Sequence, residues 1–339
     1  MSNRLKSIAA QLFPSIKSST EAPLPTFDEL PWFKNFPGCA WGLWGPEDQL
    51  GTVNLLTEEV VQRAAAEEIK PINFPDKPVF ERKSPEVKMI VKAEGGVRDD
   101  EIHINSQSGS QWDGMRHFGI LEHGVFYNNT DVKSLPGGIV SIPNPNEIDP
   151  NHAKIGIQNW ATHGICGRGV LLDLVGYHTK NGGALPYDPW TSHPISVADL
   201  EAVAKHQNVQ FRQGDILLIR VGFIQKYHAV SDEERSALQG RPETFAGIEQ
   251  SEDMKRFLWN NHFAAVASDQ PALERWPSSG KLLHQTILGL WGMPLGEFFD
   301  LEKLSQTCAE TGRYTFFFSS WPLHIIGGCA SPPNAAAYF

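Results

Sequence analysis

This 339-residue chain is short of several things, and each shortage removes a class of protein. It has four cysteines, Cys39, Cys166, Cys308 and Cys329, with no CxxC pair among them, so neither a disulfide framework nor a zinc-finger spacing is available. That usage fits reduced, mostly buried thiols, and the expected location is the cytoplasm. No apolar run approaches the roughly 18 residues of a membrane-spanning helix, so no membrane partner is expected. Basic residues are outnumbered, with 29 Lys and Arg against 39 Asp and Glu. The resulting charge of −10 repels a phosphate backbone and argues against nucleic acid as a partner. Phosphate-cradling GxGxxG and GxxxxGK[ST] loops are missing, and so is the GxSxG elbow of serine hydrolases.

What is present is enough apolar sequence for a large core: 41% hydrophobic residues against 20% charged. Short apolar runs at 169–175, 215–221, 263–267 and 314–318 are bounded by Gly, Asp or Ser and read as strands covered on both faces. Helices are expected from Thr57 to about Ile69, from a Ser196/Asp199 capping box to about His206, over 281–290, and over 301–310 with a stop at Gly312. Strands and helices alternate without a clean βαβ rhythm. The expectation is one mixed α/β domain with a central sheet or barrel-like β-core over 40–339. Residues 1–39 are expected to form an extended arm, because 14–37 are crowded with proline and aromatic residues.

The unusual stretch is 106–119, Ser-Gln-Ser-Gly-Ser-Gln-Trp-Asp-Gly-Met-Arg-His-Phe-Gly. Gln107, Gln111, Asp113 and His117 follow one another at intervals of four, two and four. In an extended chain, even intervals place side chains on one face. A straight strand of that length would span roughly 30 Å, so the chain must bend for the four to meet. Gly109 and Gly114 are the natural bends. A helix would point Asp113 away from both glutamines.

The stretch Gln107-Ser-Gly109-Ser110-Gln111-Trp-Asp113-Gly-Met115-Arg-His117 resembles, without a gap, the H-x-G-T-H-x-D-x-P-x-H pattern of the cyclase family. That family includes bacterial kynurenine formamidases and isatin hydrolases. Further resemblances run in order along the chain: 44–56, His163-Gly164-Ile165, 167–173, 214–220 and 268–271. Leu283-His284-Gln285, followed by Met293-Pro294-Leu295-Gly296-Glu297, resembles the family's helix histidine and later glutamate. The resemblance covers roughly 40–330 and implies a swivelling β/α/β fold and a homodimer or larger homo-oligomer.

The resemblance also implies roles. Asp113, His284 and Glu297 are candidate metal ligands, and His117 is the candidate acid/base, with Asp113 and Glu297 completing the catalytic set. Gln107 and Gln111 stand where the family has ligand histidines. An amide oxygen is a weak, neutral donor, so any divalent ion (Mn, Mg or Zn) is expected to be loosely held or absent. Trp112, Arg116, His163 and Trp291 are candidate contacts for a small-molecule substrate. The implied activity is arylformamidase-like hydrolysis of a small cyclic or aromatic amide, lactam, ester or lactone. Two other readings stay open: a metal-free cyclase, dehydratase or isomerase using the same pocket, and a non-catalytic small-molecule binder.

Overall fold

The computed structural model describes residues 66–67, 74–75, 78–93, 96–140 and 146–339. The expected arm lies outside the described residues. Among the described residues the main sheet has nine strands: β1 (Ala66–Glu67), β2 (Gln111–Asp113), β3 (Ile165–Asp173), β4 (Ile216–Arg220), β5 (Ala265–Ser268), β6 (Leu295–Glu297), β7 (Thr315–Ser320), β8 (Ala330–Ser331) and β9 (Ala335–Tyr338). Their order is β1-β9-β7-β3-β4-β5-β6-β2-β8. Neighbours from β3 to β6 run parallel and the other pairs antiparallel.

The runs in β3, β4 and β5 form strands because both faces are covered, whereas β7 leaves Phe317 exposed on one face, against expectation. Val170, Leu172, Leu217, Ile219 and Val266 point into one core, while Leu171, Ile216, Leu218, Ala265 and Ala267 point into another on the reverse face. Helix α1 (Val197–His206) begins at the expected capping box, with Ser196 and Asp199 satisfying each other's backbone amides. Helix α2 (Glu302–Thr311) stops where Gly312 adopts φ +67°.

Several expectations need correction. Leu174 and Val175 leave the strand and open a helix, because the Asp173 side chain accepts from the Gly176 amide and caps it. Residues 281–290 do not form a regular α-helix; Gln285–Leu290 winds as a π-helix with His284 at its start. Ala66–Glu67 pairs antiparallel with Ala336–Ala337 and is not helical, while residues 57–65 and 68–69 of that expected helix lie outside the described residues. Of the three described cysteines only Cys308 is buried; Cys166 and Cys329 are exposed, and all three are free thiols. Among the described residues no helix is long and apolar enough to cross a membrane.

Asp269, just past β5, accepts from the backbone amides of Val221 and Gly222 at 2.7 and 2.8 Å and ties down the exit of β4. Burial pushes its carboxyl up to about 7 against the two backbone hydrogen bonds, from an ordinary value of 3.8. As pH rises between those values the unfolded chain loses this proton first, so the group's contribution to stability falls across that window and is level above it. Asp269→Asn has no such loss. Urea melts at pH 5 and pH 8 should shift the stability difference toward the variant by about 2–3 kcal/mol. An unchanged difference would refute the assignment.

Candidate active site

The four polar residues singled out between 107 and 117 converge where β2 pairs with β6. Register sets Gln111 opposite Glu297 and Asp113 opposite Leu295. The strand's alternation turns Gln111 and Asp113 to one face and Trp112 to the other. Gly296, opposite Trp112, has no room for a side chain: a Cβ there would run into Ala267, Phe299 and the Trp112 ring. After β2 the chain turns back, the His117 amide donating to the Gly114 carbonyl at 2.9 Å.

The two glycines are needed here, for a different reason than bending. Neither takes a positive φ. A Cβ on Gly109 would collide with the Phe74 carbonyl, and one on Gly114 would lie 2.8 Å from the Cys329 carbonyl. Both are positions of close backbone approach.

The side chains form one network. Gln107 Nε2 donates to Asp113 Oδ1 at 2.8 Å and lies 2.8 Å from His117 Nδ1. Gln111 Nε2 donates to Glu297 Oε2 at 2.7 Å and lies 3.3 Å from Asp113 Oδ1. His284 Nε2 lies 3.2 Å from Glu297 Oε1. Its Nδ1 lies 2.6 Å from Glu274 Oε1.

Glu274 is the residue that sequence reasoning missed. It is fully buried and accepts from the backbone amides of Leu283 and His284 and from Gln250 Nε2. The available signal was a lone carboxylate in the otherwise apolar Pro271-Ala-Leu-Glu274 run ahead of His284.

Electrostatics separates the two histidines. Burial alone would lower His284, but its hydrogen bonds to Glu274 and Glu297 outweigh this and push it up to about 10. Burial likewise acts upward on Glu274, and the hydrogen bond from His284 overturns it, holding the carboxyl below its ordinary value. The two form a buried ion pair. Burial pulls His117 down, and the attraction of Asp113 only partly offsets it, so this imidazole is neutral at neutral pH. Asp113 is pushed up, first by burial and then by the charge of Glu297.

Two oxygens of the network remain unmatched, Gln111 Oε1 and Asp113 Oδ2. Asp113 Oδ2 is buried without a hydrogen bond, 3.7 Å from His117 Nε2 and 4.0 Å from His284 Nε2. A buried orphan acceptor is costly. Ligand atoms of Asp113, His117 and His284 all lie within 4.8 Å of one another. One carboxylate oxygen and two imidazole nitrogens among three buried carboxylates fit a divalent cation. The hydrogen bond from His284 to Glu274 is the kind of carboxylate support that metal-bound imidazoles have. The geometry therefore groups His117 with the candidate ligands. Gln107 and Gln111 turn N–H groups toward the carboxylates, and the buried Gln111 Oε1 accepts no hydrogen bond among the described residues.

The proposed substrate contacts lie elsewhere. Trp112 is buried in the core against Phe299 and Phe318, its indole N–H donating to Ser320 Oγ. Arg116 is a structural clamp, its guanidinium donating to the carbonyls of Asn151, His152, Lys154 and Gly327. His163 is exposed, with Nδ1 on the Gly164 carbonyl. Trp291 packs on Trp259 at the far end of the π-helix from His284.

The family model described as "Putative cyclase" matches residues 56–275. The crystal structure of a novel cyclase is 28% identical, with a TM-score of 0.67 over 88% of this chain and 97% of that one. Isatin hydrolase A from Labrenzia aggregata is 11% identical, with a TM-score of 0.51 over 81% of this chain and 89% of that one. Comparison with curated proteins gave no match.

Proposed function

This chain belongs to the cyclase family, and from that premise we propose that it is a hydrolase of a small cyclic or aromatic amide, lactam, ester or lactone. The observation that carries the reading is the pairing of a neutral, half-buried His117 with the orphaned Oδ2 of Asp113, beside His284. A divalent ion held by Asp113, His284 and Glu297 would lower the pKa of a water and polarise the substrate carbonyl, leaving His117 as the acid/base.

The chain's own residues do the rest. Gln107 fixes the tautomer of His117. With the amide N–H donating to Nδ1, the imidazole proton sits on Nε2 and faces Asp113. With the amide turned, its oxygen accepts from Nδ1–H and leaves the Nε2 lone pair free to take a proton from water. The same imidazole then returns that proton to the leaving nitrogen or oxygen. Glu274 holds His284 in place. Gln111 bridges Asp113 and Glu297 and keeps the two carboxylates apart.

A second reading rests on the same amides. Gln107 and Gln111 already hydrogen-bond the carboxylates that an ion would neutralise. That arrangement supports a metal-free cyclase, dehydratase or isomerase in which amide N–H groups face substrate oxygen. A pH-stat separates the two, because hydrolysis of an amide or ester releases a carboxylic acid. With isatin-type lactams, N-formyl arylamines and aryl lactones, the hydrolase reading expects proton release that falls at least about tenfold with chelator and returns with Mn²⁺. Turnover without proton release and indifferent to chelator would favour the second reading. No turnover with any of these substrates and any of Mn²⁺, Mg²⁺ or Zn²⁺ would overturn the hydrolase.

A further inference from the structure

Arg82 Nη1 donates to the Gln107 carbonyl at 2.8 Å. Between these two residues the chain runs out and back as an antiparallel hairpin of Glu86–Ala93 and Val97–His103. Every residue of the two strands is exposed except Ile90, which is half-buried. Alternation and register sort the side chains onto two faces. On one face Lys88 pairs with Glu101 at 3.2 Å and Lys92 with Asp99 at 3.1 Å, so its charges are matched within the hairpin.

The other face is apolar and open to water. Register sets Val87 opposite Ile102, Met89 opposite Asp100 and Val91 opposite Arg98. Val87, Met89, Val91 and Ile102 are 48%, 62%, 58% and 54% exposed. A two-stranded hairpin is marginal by itself in water and becomes stable when an apolar face is covered. Arg98 and Asp100 share this face, and their side chains make no ion pair among the described residues.

The face is complementary to itself. A two-fold axis crossing the strands at the Ile90–Asp99 pair, between two stacked hairpins, lays Met89 of one copy over Val91 of the other. The same axis lays Arg98 of each copy over Asp100 of the other. The apolar stripe is then covered and each unpaired charge meets its opposite. One cation and one anion leave the face without a net sign, which counts against a strongly acidic or basic partner. A surface that matches itself about a two-fold axis is the mark of a contact between identical chains. At about 3.4 Å a residue and roughly 10 Å across, two such faces together cover on the order of 500 Å², well under the ~1,200 Å² of a stable interface, so the contact is a reversible one.

We propose that this face of the hairpin is a self-association surface, on which two copies of the chain pack face to face about a two-fold axis, Arg98 of each against Asp100 of the other. The test is sedimentation velocity on the full chain at low salt, from about 5 to about 500 µM, the range in which so small a contact is populated. A monomer–dimer shift with concentration is expected. Arg98→Asp or Asp100→Arg alone sets like charges together twice in the pair and should weaken association at least about tenfold. The two reversals combined set opposite charges together again and should restore association to within about threefold of the parent. Met89→Glu should abolish it. All three positions are exposed, so urea midpoints of the variants should match the parent's and a loss of association is not a loss of fold. No association across the range, indifference to either single reversal, a double reversal as weak as the singles, or an unchanged dimer in Met89→Glu would each overturn the proposal.

Discussion

Replacing His117 by alanine is expected to lower turnover by about 10²–10⁴ while leaving the urea midpoint close to that of the parent. His117 is not a core residue: it is held by Gln107 on one side and faces Asp113 on the other, at the mouth of the network. Its burial lowers its pKa from the ordinary 6.5. The acid limb of kcat/KM in the parent should therefore lie below pH 6.5 and report deprotonation of this ring. In His117→Ala that limb should vanish along with the rate. A variant of near-native activity would remove His117 from the mechanism. One that unfolded in milder urea would make its role structural.

The second large effect concerns the glutamines. In Gln107→His with Gln111→His, zinc affinity should rise by more than about 100-fold, because two neutral amides give way to two imidazoles, which are far better donors to zinc. Gln111 is buried, with its amide nitrogen already between Asp113 and Glu297, so an imidazole there presents its nitrogen to the same carboxylates. The unmodified chain should bind Zn²⁺ and Mn²⁺ weakly. Calorimetric titrations of both proteins at one fixed pH give the comparison, the pH being held because ligation displaces protons from imidazole. Tight stoichiometric zinc in the unmodified chain would overturn the argument from donor chemistry. No gain in the double variant would mean that positions 107 and 111 do not face an ion at all.

The two variants probe different parts of one site. His117→Ala removes a proton carrier and leaves the carboxylates in place. The double histidine variant keeps that carrier and changes what neutralises the carboxylates. A chain that loses activity in the first and gains zinc in the second has both the acid/base group and the ion position where the geometry puts them.

Much of this was readable in the sequence because it depends on near neighbours. Four strands declared themselves by unbroken apolar runs (though β7 exposes Phe317), α1 by its capping box and the end of α2 by Gly312. Even intervals among Gln107, Gln111, Asp113 and His117 required one face and a bend, and that requirement is met within a dozen residues. What the local chain cannot encode is which face of a three-residue strand looks inward. Trp112 and Arg116 stood beside the right residues and yet face the core and a set of carbonyls, because β2 takes its orientation from β6. Gln111 meets Glu297 across 186 residues of sequence. The support of His284 by Glu274 and the winding of 285–290 as a π-helix arise in the same way. Each depends on register and packing between segments that carry no mark of one another until the sheet brings them together.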